Sequence, residues 1–481
     1  MPPKVVVIGA GLGGLECAYI LAKNGLDVTV LEQDIHIGGC LQSFRRGDTL
    51  FDAGFHYIGG LREGESLYPL FRYFNLLNLP WQALDEDCFD EVVIGDRSFA
   101  LAVGHERFAE TLTAAFPHEK EGIRRYTAFL KQVGDHILDT FQPREAADFF
   151  GESLFARSAY DFLTDTIHDP LLRKVLSGSS LKMELAKDTL PLYVFAQINN
   201  SFIQSAWRIR GGGQQIADHL AEDIRRFGGQ VRTHAKVTAI IEKDGRVTGV
   251  RVNDEEFIEA THVICDIHPK IVMALLAESQ SLRRIYRRRI ESLEETYGMF
   301  TANIRLKQDA LPYLNRNIFV HRPEADLWTP DTMQVNSLMV SFYPGQSALD
   351  LLTPLQWSQV SQWADHRDEA YEAFKQQKTE ECILLAEQRL PELRGAIEQV
   401  YTSTPLTYQR YTHTYEGSAY GIRKDWRSPM TTVLAPKLPI ENVLLTGQNL
   451  NLHGVLGVSM TSVITAAQLI GMDTIVKSLN C

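Results

Sequence analysis

The sequence predicts an α/β protein whose parallel-sheet part is assembled from three separated stretches of chain, with an α+β part inserted between them. Three observations carry this. A short β-branched run, Lys4-Val-Val-Val-Ile8, leads directly into a glycine cluster. An apolar helical stretch and a second strand pattern follow at once. Comparable α/β signals return near Arg210 and again near Glu441, with long mixed stretches in between.

Each element follows from its residues. After Lys4, positions 5–8 are continuously apolar, as a parallel strand buried on both faces requires. The pattern then predicts a helix from about 13 to 24, stopped by Gly25, and a second strand over 27–31. The resulting βαβ unit has a right-handed crossover. From about 76 to 200, helical patterns rich in aromatic residues dominate, such as 108–116 and 123–141. Gly211-Gly212-Gly213 opens a helix over 215–227, followed by strands over 231–241 and 247–252. A short buried strand over 261–265 ends at Asp266, and residues 280–430 return to mixed patterns. A last core strand is expected over 441–447 and a closing apolar helix over 458–470. The expected division is therefore 1–75, 208–275 and 431–481 for the parallel-sheet domain, and 76–207 and 276–430 for the inserted domain.

Composition narrows the classes. A chain of 481 residues is too long for one simple core and suits two intertwined domains. Its 44% hydrophobic and 22% charged residues are those of a soluble globular protein, which excludes disorder and a polytopic membrane protein. The net charge of -12 is spread along the chain, so nucleic acid is not an expected partner. Cys17, Cys40, Cys88, Cys265, Cys382 and Cys481 show neither a disulfide framework nor metal-ligand spacing. They fit a reducing compartment, hence a cytoplasmic protein, with no metal site expected. Positions 5–22 superficially resemble a signal peptide or a membrane span, but they hold several glycines and Glu16 and end without a small-residue cleavage pattern.

The glycine cluster is Gly9-Ala10-Gly11-Leu12-Gly13-Gly14. Its first glycine permits the tight turn, its second lets the backbone approach a pyrophosphate, and its third lets helix and strand pack closely. The helix N-terminus offers N–H groups and a favourable dipole to phosphate. Glu32 ends the second strand, where a carboxylate accepts hydrogen bonds from ribose hydroxyls and disfavours the 2′-phosphate of NADP. Glycine turns also occur for purely structural reasons. With strand, helix, second strand and acid all in place, the segment reads as a dinucleotide site. FAD is favoured over NAD by Gly38-Gly39, which otherwise reads as a plain surface turn, and by the Ser43 and Asp52-Ala53-Gly54 that follow. The glycines at 211–213 follow Trp207-Arg208-Ile209-Arg210, not an apolar strand, and do not form a second unit.

Glu32-x5-Gly38-Gly39, Ser43 and Phe51-Asp-Ala-Gly-Phe-His-Tyr-Ile-Gly-Gly60 resemble the phytoene desaturase-related flavoproteins, in particular their retinol saturase and carotenoid isomerase branch. The helix at 211–229 with Val237, the run Leu445-Thr446-Gly447-Gln448, and His453-Gly454-Val455-x-Gly457 match as well. The likeness covers all three cofactor segments and is thin in the inserted domain. It implies an FAD-binding Rossmann-like fold of the glutathione reductase and amine oxidase type. It places Gly9, Gly11 and Gly14 on the pyrophosphate, with Leu12, Gly13 and Asp266 beside them, and Glu32 on the ribose. Gly38, Gly39, Cys40 and Ser43 would lie along the cofactor, Val237 near the adenine, and Gly447, Gly454, Val455 and Gly457 along the flavin ring. A helix beginning near Gly457 would aim its positive end at the ring. Cys40 stands where relatives often carry a cation, and no cysteine lies between Asn442 and Ile470 for a covalent bond, so the FAD is expected to be non-covalent.

Flavin chemistry moves a hydride while the protein handles a proton. His56 and His453 fall in segments expected to border the ring and suit that role, since imidazole titrates near neutrality. Tyr57 and Tyr420 would line the pocket or donate a hydrogen bond. For all four the alternative is a plain wall residue. Phe141, Phe149, Phe150, Phe155, Tyr160, Phe162, Tyr193, Phe195, Phe202 and Trp207 read as core first and as an apolar tunnel second. Arg283, Arg284, Arg287, Arg288 and Arg289 read first as a solvated helix face. Leu282, Ile285, Ile290 and Leu293 would then form the apolar side, and docking on anionic lipid is the second reading. The expectation is an FAD oxidoreductase acting on carbon–carbon double bonds of a hydrophobic isoprenoid, retinoid or other lipid. By resemblance, saturation or isomerisation is favoured over desaturation. The electron donor would be a protein or a diffusing NAD(P)H. The rivals are an amine oxidase on the same fold and a flavin-binding protein without turnover.

Overall fold

A computed structural model describes residues 3–141, 153–179, 181–330 and 332–479. Five parallel strands form its cofactor-side sheet, in the order Gln230–Arg232, Asp27–Leu31, Lys4–Ile8, His262–Cys265, Val443–Leu445. Strands from three distant stretches of chain therefore meet in one sheet. The first strand lies in the middle, which explains its unbroken apolar run. Val5 and Val7 pack with residues of the helices Leu12–Lys23, Gln214–Arg226 and Gly454–Ile470. Val6 and Ile8 face the other way, with Val250 and Val252 of the antiparallel meander Val237–Lys243, Arg246–Val252, Glu256–Glu259.

A second sheet has seven strands, ordered Ile397–Ser403, Gly298–Leu306, Ala348–Leu355, Ser337–Phe342, Asn317–His321, Asp90–Ile94, Arg97–Leu101. It is antiparallel except where Asn317–His321 pairs with Asp90–Ile94. Its period of two separates two environments. Phe300, Ala302 and Ile304 pack with Ile383 and Leu385 of the helix Glu369–Ala386. Met299, Met339 and Leu352 point to the opposite face, into a cavity between the two sheets.

Several expectations change. The stretch read as helical from 76 to 200 contains the strands Trp81–Ala83, Asp90–Ile94 and Arg97–Leu101. Residues 231–241 are not one strand: after Arg232 the chain wraps the end of the neighbouring strand, with His234 N–H on the Asp34 carbonyl and Ala235 N–H on that of Glu32, before Val237 starts the meander. Ala206–Ile209 is a strand in a small antiparallel sheet and straddles the expected boundary between 207 and 208. The closing helix begins at Gly454, not at 457 or 458.

Of the aromatic residues at 141–207, Phe202 lines the cavity, while Phe195 and Tyr193 belong to the core and Phe155, Tyr160 and Phe162 pack against it. Phe149 and Phe150 lie outside the described residues. On the arginine helix, Arg284–Glu291, Ile290 is buried but Ile285 is 77% exposed, so the expected apolar face is corrected. The inward face is Tyr286, Ile290 and Arg287, whose guanidinium donates to the carbonyls of Met273 and Leu276, and Ile285 is turned away from it. No helix among the described residues is long and apolar enough to cross a membrane.

The contact between Leu12–Lys23 and Gly454–Ile470 hides a carboxyl group. Glu16 is fully buried, accepts from Ser459 Oγ at 2.6 Å, and leaves its other oxygen without a partner. Burial pushes it up to about 8 from an ordinary 4.5. Between those two values the native state holds a proton that the unfolded chain has lost, so this group makes stability fall as pH rises. Glu16→Gln removes the titration. Urea unfolding should show the variant gaining on the wild type by a few kcal/mol between about pH 5 and about pH 8. A gap that stays constant over that window would contradict the assignment.

Candidate active site

A cavity of about 670 Å³ runs between the sheets, within the range of about 300–1,000 Å³ usual for small-molecule sites. At one end lie Glu32, Lys236 and Val237, and in the middle Gly9, Gly11 and Gly13. At the other end are His56, Tyr57, Tyr420 and His453. Leu12, Gly38, Gly39, Cys40, Asp266, Gly447, Gly454 and Val455 line it as well. Gly14, Ser43 and Gly457 do not, and their surroundings explain why. A Cβ on Gly14 would stand 2.1 Å from the Gly9 carbonyl oxygen, and one on Gly457 would stand 2.3 Å from that of Leu452, so both are close-packing positions. Ser43 sits behind the wall, donating to Asp52 Oδ1 at 2.5 Å.

The middle of the cavity is a cradle. The helix Leu12–Lys23 starts without a side-chain cap, leaving its N-terminus to whatever lies in front. Glu32 is locked at the strand end, accepting from Ala10 N–H and Asp34 N–H at 3.0 Å each. The Asp266 carboxyl fills the crease between the glycine turns. A Cβ added to Gly11, Gly13 or Gly447 would stand 2.6, 2.6 or 2.4 Å from its oxygens. Burial, reinforced by the charge of Glu32, raises Asp266 to about 7, against the Gly14 N–H that favours its ionised form.

Two features beside the cradle escaped the sequence reading. The segment from Tyr408 to Tyr415 covers the cavity, and its His413, at φ 54°, holds Asp34 Oδ2 at 2.6 Å through Nε2. His268 also lines the cavity, pairs with Glu295 at 3.1 Å and stacks on Tyr415 with 4.7 Å between ring centres.

At the far end the polar groups are committed in a definite way. His453, the residue before the closing helix, donates Nε2–H to the Lys182 carbonyl at 3.1 Å, so its Nδ1 carries the free lone pair. The Tyr420 ring lies tilted against His453, 4.6 Å between ring centres, and its hydroxyl donates to the Leu181 carbonyl. Tyr57 donates to Asp90 Oδ2 at 3.0 Å. His56 Nδ1 stands 3.7 Å from Asp350 Oδ2. Burial lowers both histidines to about 4, helped at His56 by the Arg208 charge, so each is a neutral imidazole near pH 7. Lys182 lines the same end and was also missed, because a lone lysine in an aromatic-rich stretch carries no spacing signal.

Fold and site together define a flavoprotein oxidoreductase, with a glycine-walled cradle against one sheet and an apolar chamber under the other. The chain belongs to the flavin containing amine oxidoreductase family, whose model matches residues 12–470. It is similar to all-trans-retinol 13,14-reductase of Danio rerio, at 27% identity over 97% of this chain and 85% of that protein. It is also similar to prolycopene isomerase 2 of an Oncidium hybrid cultivar, at 23% identity over 86% of this chain and 74% of that protein. A solved structure of a redesigned putrescine oxidase has the same fold, with a TM-score of 0.66 at 15% identity over 98% of this chain and 99% of that one.

The residues present fit FAD. Asp266 packs directly against the glycines, which keeps side chains away from the helix start, and that uncapped N-terminus and the fixed Glu32 carboxylate supply the donors and acceptor a dinucleotide needs. Asp266 sets a condition. Beside a diphosphate it must keep its proton, and that becomes harder as pH rises through about 7. FAD titration of apoprotein should therefore show affinity weakening by up to roughly tenfold per pH unit above that point. Asp266→Asn should bind with little pH dependence. Equal slopes for variant and wild type would rule out this role.

Proposed function

We propose that the protein holds FAD non-covalently and saturates or isomerises a carbon–carbon double bond of a hydrophobic isoprenoid, retinoid or other unsaturated lipid. The observation that carries the reading is the chamber beyond His453, walled by Leu181, Ile198, Phe202, Met299, Met339 and Leu352. Such a wall suits a long apolar molecule. The likeness to a retinol reductase and a prolycopene isomerase supports the same substrate class. When bound, the flavin supplies hydride transfer.

The cradle residues Gly9, Gly11, Gly13 and Gly447 would hold the diphosphate, Glu32 the ribose and Val237 the adenine. Gly454 and Val455, at the start of the closing helix, would border the ring and offer it a positive helix end. His453 Nδ1 faces its surroundings as an unprotonated acceptor. It would accept a hydrogen bond or a proton released beside the ring, while its lowered basicity keeps it uncharged in the chamber. His56 orients, steadied by Asp350. Tyr57 and Tyr420 spend their hydroxyl protons on Asp90 and Leu181 and act as rigid wall. An amine substrate is disfavoured because a protonated amine would meet Lys182 at this end of the chamber. The described residues form one dinucleotide cradle, so the reductant comes from outside the chain, from a protein donor or a diffusing NAD(P)H.

The test is anaerobic. The yellow enzyme is photoreduced and mixed with all-trans-retinol or a linear carotene, and the flavin absorbance and product mass are followed. Flavin reoxidation with a product two hydrogens heavier is expected for saturation. Unchanged mass with altered geometry and a flavin still reduced is expected for isomerisation. No reaction with either polyene, but oxidation of an amine with peroxide release when the oxidised enzyme is assayed separately in air, would overturn the proposal.

A further inference from the structure

Lys182 stands out among the groups that line the substrate chamber. Its side chain is only 6% exposed, and Phe202 lies against its ammonium, with the ring centre 4.4 Å away. Its two polar partners, Asp90 Oδ2 and Ser179 Oγ, are both at 3.4 Å. Charge-assisted hydrogen bonds close to about 2.7–2.9 Å, so both contacts are loose, and the remaining side of the ammonium rests on the Phe202 ring without an anionic partner.

Its counter-ion is already shared. Asp90 accepts from Asn317 Nδ2 at 2.9 Å on one oxygen and from Tyr57 on the other, where Lys182 also approaches. Behind this cluster lies Arg208, buried and bound to neutral acceptors: Tyr313 Oη, the Leu314 and Arg316 carbonyls, and Asn317 Oδ1 at 2.7 Å. Its Nε has no partner at all. Two buried cations thus face one buried carboxylate, and burial works against the charged forms of both Lys182 and Asp90. A buried cation without full compensation is costly, and what the cluster lacks is a second anionic oxygen reaching it from the cavity.

Resting on the reading of this cavity as the chamber for an unsaturated lipid, we infer that Lys182 anchors an anionic oxygen terminus of the substrate. The natural substrate is then an unsaturated or polyene carboxylate, not the free alcohol or the hydrocarbon. The carboxylate takes the loosely held ammonium of Lys182 and balances the pair of cations. The apolar walls take the chain, and the terminus fixes which double bond is presented to the reacting end.

Equilibrium dialysis of the flavin-loaded enzyme tests this with all-trans-retinoic acid, all-trans-retinol and a carotene that has no polar end. The wild type should hold the acid more tightly than the alcohol by roughly tenfold to a hundredfold, the scale of one hydrogen bond to a charged group. Lys182→Met should lose that preference, while Lys182→Arg keeps it. The paired variant Lys182→Met with Asp90→Asn removes both charges together, so no buried carboxylate is left unpaired. It keeps the measurement meaningful if the single variant fails to fold, as judged by its flavin absorbance. Equal or better binding of the alcohol, or a preference that survives loss of Lys182, would overturn the anchor alone. No binding of any of the three by flavin-loaded wild type would overturn both the anchor and the substrate class.

Discussion

A chain of buried hydrogen bonds ties the hairpin Ser43–Arg46/Thr49–Asp52 and the start of the helix Gln214–Arg226 to the seven-stranded sheet, and it sets the geometry of the cavity wall between them. It starts at Gly213 N–H and Ser43 Oγ, which both donate to Asp52 Oδ1, at 2.9 and 2.5 Å. The Asp52 amide then donates to Tyr343 Oη at 2.9 Å, and that hydroxyl donates to Asp350 Oδ2 at 2.5 Å. Asn303 closes the far side at 2.7 Å. Asp52 lies four residues before His56 in sequence, and Asp350 faces His56 in space. Burial raises Asp52 to about 6 and Asp350 to about 7, so the link holds its proton cheaply and ties the hairpin to the seven-stranded sheet without two isolated charges. The segment Ala53 to Tyr57 has little freedom between these fixed points, and it brings His56 and Tyr57 to the cavity.

The same economy shows at the chamber's other edge. Successive carbonyls of residues 181–183 are each claimed from a different part of the chain, by Tyr420, His453 and Tyr297. Arg423 then grips the carboxylate of Glu184 with two nitrogens, at 2.8 and 3.0 Å. A stretch with little regular structure of its own is thereby fixed, and Lys182 is held at the cavity by its backbone and not by strong side-chain contacts.

Legibility in the sequence followed the range of the interactions. The cradle could be read because its chemistry is local: Gly9, Gly11 and Gly13 meet the helix start within a few residues, and Glu32 terminates the adjoining strand. Gly14 and Gly457 were assigned to the cofactor because a glycine in a motif does not reveal which side of the backbone needs the space. The strands Asp90–Ile94 and Arg97–Leu101 stayed hidden since Asp90, Glu91 and Arg97 break the alternation. Glu91 is stabilised by Ser98 on the neighbouring strand at 2.6 Å, but its cations are distant: Arg316 at 3.2 Å and Arg389, nearly 300 positions away, at 2.7 Å. Lys182, His268 and the cover over residues 408–415 depend wholly on distant partners. Ile285 was put on the wrong face because the helix is too short, at eight residues, for Leu282 and Leu293 to share its periodicity.

The sheet order has a consequence for the timing of folding in the cell. The strand Lys4–Ile8 leaves the ribosome first, but its sheet is completed by Val443–Leu445, and the helix beside it packs on Gly454–Ile470. The cradle's far wall, Gly447, comes from the same late stretch. The five-stranded sheet and the glycine cradle are therefore incomplete until this late stretch arrives. Until then the glycine turn keeps apolar neighbours unburied, the cost of long-range pairing between distant parts of the chain.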